Sequence, residues 1–136
     1  VRLTLTIPGE PCAKARPRVT RAGITYTPAK TVNYETLVKE LFCVTYPDHK
    51  PVEIPVKLLL KAYFTIPSSW SAKKQQAALY GMIRPTKRPD WDNLGKLVSD
   101  SLNGLAYKDD SQIVEATAAK YYSDRPRVEI EITEVE

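Results

Sequence analysis

The run from Lys87 to Gln112, KRPDWDNLGKLVSDSLNGLAYKDDSQ, limits what this chain can fold into more than any other stretch. Leu94, Leu97, Val98, Ser101, Leu102 and Leu105 recur at three- and four-residue steps, the period of one apolar helix face. Asp92 or Asn93 is the expected N-cap and Gly104 the expected C-terminal stop. Acidic pairs flank this helix: Asp90 and Asp92, one residue apart, before it, and the adjacent Asp109 and Asp110 after it. Lys96 follows Asp92 by one turn on the same face, and Asp100 continues that stripe. An extended backbone at Pro89–Asp92 would aim Asp90 and Asp92 to one side and turn Trp91 towards a wall. A fold that returns the second acidic pair to the first would gather the carboxylates at one point.

Such a gathering points to a cation. Converging carboxylates repel one another unless a metal lies between them, and magnesium needs only two or three carboxylate oxygens besides its waters. A cation there can acidify a bound water and neutralise a phosphate, while Lys96 either offsets charge on the reacting phosphate or positions the attacking water. A plainer reading uses the same residues: Asp92 as a helix cap, Lys96 as its ion-pair partner, and Asp109-Asp110 as a turn before a strand. Asp100 fits either an outer support for the site or a surface partner of Lys96.

Charge distribution favours the first reading. Pro11 to Pro89 carries 14 Lys and Arg against 4 Asp and Glu, and Asp90 to the end carries 5 against 11. A local acidic cluster within a basic field suits a metal-using phosphodiesterase, with phosphate attraction outside and cation ligands inside. The basic residues concentrate in two proline-rich segments, Lys14, Arg16, Arg18 and Arg21 in the first and Arg84, Lys87 and Arg88 in the second. These are the candidate DNA contacts. His49, the only histidine, lies in a proline-rich linker and is not assigned a catalytic role; no Gly-rich phosphate loop or nucleophile elbow occurs. Cys12 and Cys43 lack metal-ligand spacing and read as free thiols. Tyr26, Trp70, Trp91, Tyr121 and Tyr122 suit either the core or stacking on bases.

The rest of the chain describes a single α/β (α+β) domain spanning residues 1–136, with about four strands in a mixed or antiparallel sheet packed by two to three helices. Alternation of Leu3, Leu5 and Ile7 with polar residues predicts a strand over Arg2–Ile7. A basic loop follows, with a short strand at Ile24–Tyr26. The spacing of Tyr34, Leu37, Val38, Leu41 and Phe42 predicts a helix from Pro28 to Tyr46. Val56–Thr65 reads as a buried strand, and Ser71–Tyr80 as a helix capped by Ser68 or Ser69 and stopped at Gly81. Ile113–Tyr121 and Arg127–Glu134 are expected to pair as a hairpin. No stretch is long and apolar enough for a membrane span and no signal-peptide pattern is present, so the expectation is a cytoplasmic protein; the start at Val1 suggests a trimmed N-terminus.

RPDWDNLGKLVSDSLNGLAYKDDSQIVE resembles the signature of the RusA family of Holliday junction resolvases. That pattern is D-x-D-N, a Lys three residues after the Asn, D-x-L, and D-D-x-Q-V; here Ile113 replaces the Val. The stretch IPGEPCAKARPRVTRAGITYTPAKTVNYE is similar to the opening of phage and prophage members. The resemblance implies a RusA-like fold and a homodimeric, magnesium-dependent endonuclease, bacterial or phage-encoded. It would nick four-way DNA junctions symmetrically in recombination and repair. It also implies that Asp90, Asp92 and Asp110 bind the metal, that Lys96 is essential, and that Asp109 is a neighbour. The competing expectations are a non-catalytic basic nucleic-acid-binding protein and a magnesium enzyme acting on smaller phosphate esters.

Overall fold

The computed structural model describes residues 1–12, 18–26 and 29–135. Its elements run β1 (Arg2–Pro8), β2 (Arg18–Val19), β3 (Thr25–Tyr26), α1 (Ala29–Thr45), β4 (Val56–Thr65), α2 (Ala72–Leu79), α3 (Trp91–Ser101), β5 (Ile113–Ser123) and β6 (Arg127–Glu134). A 3₁₀ turn at Asp110–Gln112 leads into β5. β2 and β3 pair only with each other, and the other four strands form one mixed sheet in the order β1-β6-β4-β5.

Alternation explains the core. Leu3, Leu5 and Ile7 of β1, Leu58, Leu60, Ala62 and Phe64 of β4, and Val128, Ile130 and Ile132 of β6 are buried on one sheet face. Val38 and Phe42 of α1 and Leu94, Leu97 and Val98 of α3 belong to the same cluster. Each Leu, Ile, Val or Phe side chain among them contributes about 1.5–3 kcal/mol when taken out of water. β1 is an edge strand, and the residue that follows α1 protects it: Tyr46 Oη accepts from Thr4 N at 2.8 Å and donates to Thr4 O at 3.1 Å.

β5 and β6 are not a hairpin. β4 lies between them, parallel to β5 and antiparallel to β6. Ten residues of β4 bring their own apolar face to the core and need a ladder on both edges, so β4 takes the centre of the three. The short connection from Ser123 to Arg127 therefore steps across the end of β4. Two strand spacings are about 10 Å, within reach of four peptide units. Ser123 Oγ holds that step by accepting from Arg125 N at 3.1 Å and from Arg127 Nη1 at 3.2 Å.

α2 also starts differently from the expectation. Ser68 and Ser69 form the middle of a turn closed by Trp70 N donating to Pro67 O at 3.2 Å. Ser71 is the N-cap instead, its side chain accepting from Lys74 N at 3.2 Å. Replacing Ser71 by Ala is expected to lower the unfolding free energy by about 1 kcal/mol. The same change at Ser69 should cost under about 0.5 kcal/mol. Urea midpoints and amide exchange at Lys74 check this, and equal effects at the two serines would contradict the assignment.

Candidate active site

The basic loop before Asp90 is stapled to the sheet. Arg84 Nε donates to Lys120 O at 2.6 Å, and its guanidinium carbon lies 4.0 Å from the Tyr121 ring centroid. Lys120 Nζ donates in turn to Lys87 O. The ammonium groups of Lys87 and Lys120 stand 5.7 and 5.3 Å from the Phe64 ring. A cis Arg88–Pro89 bond then delivers the chain to α3. Arg84 thus clamps the loop to β5 and, like Lys87 and Arg88, is exposed. Nothing in the sequence singled out Lys120, since its partner is 33 residues away.

α3 begins one residue after Asp90, earlier than expected. Asp90 occupies the N-cap position with extended backbone (φ −71°, ψ 154°), yet its side chain makes no capping hydrogen bond. Trp91 is the first helical residue and Asp92 lies in the first turn. The two carboxylates are exposed, but they are not alternate residues of an extended strand, and Trp91 faces solvent rather than a wall. An anionic side chain is favoured at this end of the helix, where unpaired N–H groups leave partial positive charge. Lys96 Nζ pairs with Asp100 Oδ1 at 3.2 Å rather than with Asp92. With the lysine exposed and Asp100 partly buried, this i,i+4 pair is worth about 0.3–0.5 kcal/mol and serves mainly to orient the lysine.

The second acidic pair divides its roles. Asp109 caps the 3₁₀ turn: its carboxylate accepts from Ser111 N at 3.1 Å, while Gln112 Oε1 accepts from Asp109 N at 2.9 Å. Hydrogen bonds from the Ser111 side chain and backbone, with a further one from Asn103, hold the Asp109 carboxyl below the ordinary range. Asp110 is half-buried beside the Tyr107 phenol. Tyr107 is fully buried and donates to Ser99 O at 2.7 Å. Burial first, then the charges of Asp110, Asp100 and Asp109, raises its pKa above the ordinary tyrosine value, so it stays a donor. Tyr107 therefore ties the segment carrying Asp109 and Asp110 to the C-terminal half of α3.

Asp90 and Asp92 thus mark the N-terminal end of α3, Asp109 and Asp110 sit towards its other end, and the Lys96–Asp100 pair lies between. Among the described residues no three His, Cys, Asp or Glu side chains stand together as a metal-binding group. In donor chemistry the carboxylates suit a hard divalent cation, and Asp90 has no competing cap bond. His49 is structural: Nε2–H donates to Ala106 O at 3.1 Å and its ring meets Phe42 edge-on. Cys12 and Cys43 are free thiols, the first buried and the second exposed. Of the N-terminal basic residues, Arg21 is exposed in the β2–β3 turn and Arg18 pairs with Tyr26 through the backbone. Lys14 and Arg16 lie outside the described residues, as do the side chains of Arg18 and Tyr26. No helix among the described residues is long and apolar enough to cross a membrane.

Comparison with known proteins identifies the family. The family described as endodeoxyribonuclease RusA matches residues 8–133. The chain is 41% identical over 141 residues to the uncharacterized protein YqaN of Bacillus subtilis (strain 168), covering 98% of this chain and 96% of that protein. It is also 53% identical over 51 residues to the crossover junction endodeoxyribonuclease rusA of Lactococcus phage r1t, covering 37% of this chain and 39% of the phage protein.

Proposed function

Because this chain belongs to the RusA family of endodeoxyribonucleases, and is therefore a nuclease, we propose that it resolves four-way DNA junctions by paired, symmetrical nicks. The observation that carries this reading is the N-terminal end of α3, where Asp90 leaves its carboxylate out of the helix cap beside Asp92, with Lys96 one turn further on. Asp90, Asp92 and Asp110 would hold a magnesium ion. When bound, the ion supplies an acidified water and polarises the phosphate. The reading requires Asp110 to reach the same cation from a segment that the Tyr107–Ser99 bond holds towards the other end of α3.

The protein's own groups supply the remaining work. Asp100 orients Lys96, whose ammonium offsets the negative charge that develops on the reacting phosphate. Lys87 and Arg88, with Lys14, Arg16, Arg18 and Arg21, take phosphates along the arms of the junction, and Arg84 fixes the loop that presents the first two. A homodimer would place two such sites on a two-fold substrate. The whole chain, residues 1–136, is read as one nuclease domain of bacterial or phage origin working in the cytoplasm.

The test uses a synthetic four-way junction with Mg²⁺. Paired nicks are the expected result. Lys96→Ala should bind the junction as the parent does but cut it roughly 10²–10³-fold more slowly. Salt-sensitive binding with no scission under any divalent metal would instead mark a non-catalytic DNA-binding protein. Loss of binding in Lys96→Ala would make that lysine a phosphate anchor.

A further inference from the structure

The chain has two tryptophans in opposite settings. Trp70 meets Tyr122 edge-on at 5.2 Å, with Lys74 Nζ 4.1 Å from its ring centroid. Trp91 is 64% exposed, and among the described residues no ring or cation stacks on it. It is also firmly held. It is the first residue of α3, a helix anchored by buried Leu94, Leu97 and Val98. The loop before it is clamped by Arg84 on Lys120 O and by Lys120 on Lys87 O. A large apolar ring on a fixed backbone position has only its own two side-chain torsions to order when something covers it.

Its surroundings select the occupant. Exposed Lys87 and Arg88 precede it and attract phosphate, whereas exposed Asp90 and Asp92 flank it directly and repel phosphate. A neutral, flat group bonded to a phosphate backbone fits both conditions, and aromatic–base stacking with basic neighbours is how opened strands are held. Bases inside a continuous duplex already have both faces covered, whereas an unpaired base has a face to offer. We propose that Trp91 is a stacking platform for an unpaired nucleobase of the DNA substrate, beside the candidate metal carboxylates. This deepens the nuclease reading and rests on it.

In a Trp70→Phe protein Trp91 is the sole tryptophan, so its emission reports directly. Titration without divalent metal, using a four-way junction with one unpaired base at its centre, a single-stranded oligonucleotide and a linear duplex, should quench emission with the first two only. Trp91→Ala should weaken binding to that junction about 5- to 150-fold, with Trp91→Phe retaining most of it. Unchanged emission while a gel shift shows bound junction, or Trp91→Ala binding within about twofold of the parent, overturns the platform and leaves the nuclease reading intact. Quenching that follows protein concentration without DNA assigns the ring to a second copy of the chain and also overturns it. A parent protein that binds no DNA overturns both readings. Should Trp91→Ala fail to fold, the titration of the Trp70→Phe protein decides alone.

Discussion

Asp90→Asn is expected to lower nicking of a four-way junction by roughly 10³-fold or more, about 4 kcal/mol of barrier. Stability should not move. The Asp90 side chain makes no capping hydrogen bond, and Asn suits the N-cap position as well as Asp. Binding should be unchanged or slightly tighter, because one negative charge has left a surface that attracts phosphate. Asp110→Asn should behave alike if it reaches the same cation. Asp109→Asn should keep most activity, since Asp109 is occupied in capping the 3₁₀ turn and Asn can cap too. Single-turnover cleavage at saturating divalent metal, with gel shifts in its absence, separates these outcomes. An Asp90→Asn protein that cuts within about tenfold of its parent would remove Asp90 from the site.

The second large effect falls on stability. Tyr107→Ala is expected to cost about 3–5 kcal/mol, the range for deleting a fully buried aromatic side chain. Against a total of about 5–15 kcal/mol, that leaves a sizeable unfolded population. Tyr107→Phe should cost about 1 kcal/mol, because the ring still fills its place while Ser99 O loses its donor. The milder variant is the informative one. Tyr107 joins α3 to the segment leading to Asp110, so amide exchange over residues 108–112 should quicken in Tyr107→Phe while the rest of the core stays protected. Denaturant unfolding measures the first effect. A loss below about 1 kcal/mol in Tyr107→Ala would mean the cavity is refilled and the tie is not structural.

Local elements were largely legible. The alternation in Arg2–Ile7 and Val56–Thr65 and the apolar faces of α1 and α3 are one-dimensional patterns imposed by residue period, and the structure follows them closely. Boundaries were less so. Asp90, Asp92 and Asn93 are all good caps, and only packing of Leu94 and Leu97 sets which one precedes the helix. The expected hairpin failed for a similar reason. Ile113–Ser123 and Arg127–Glu134 are adjacent in sequence and joined by a turn, yet pairing depends on what else competes for their edges, and β4 competes for both. The clamp of Arg84 and Lys120 and the Tyr107 tie were invisible, since each joins residues on separate elements.

For the stretch from Lys87 to Gln112, the sequence by itself determined the chemistry: carboxylates at both ends of an amphipathic helix, a lysine one turn in, basic loops around them, and the signature of an endonuclease family. Composition and period suffice for that because they act along the chain. Tertiary structure decided what each group is free to do. It left Asp90 out of the cap, committed Asp109 to one, turned Lys96 towards Asp100, used Arg84 as a clamp and left Trp91 in solvent. Those outcomes are settled by which partners lie within about 3 Å in the folded chain, a distance that residue spacing does not encode.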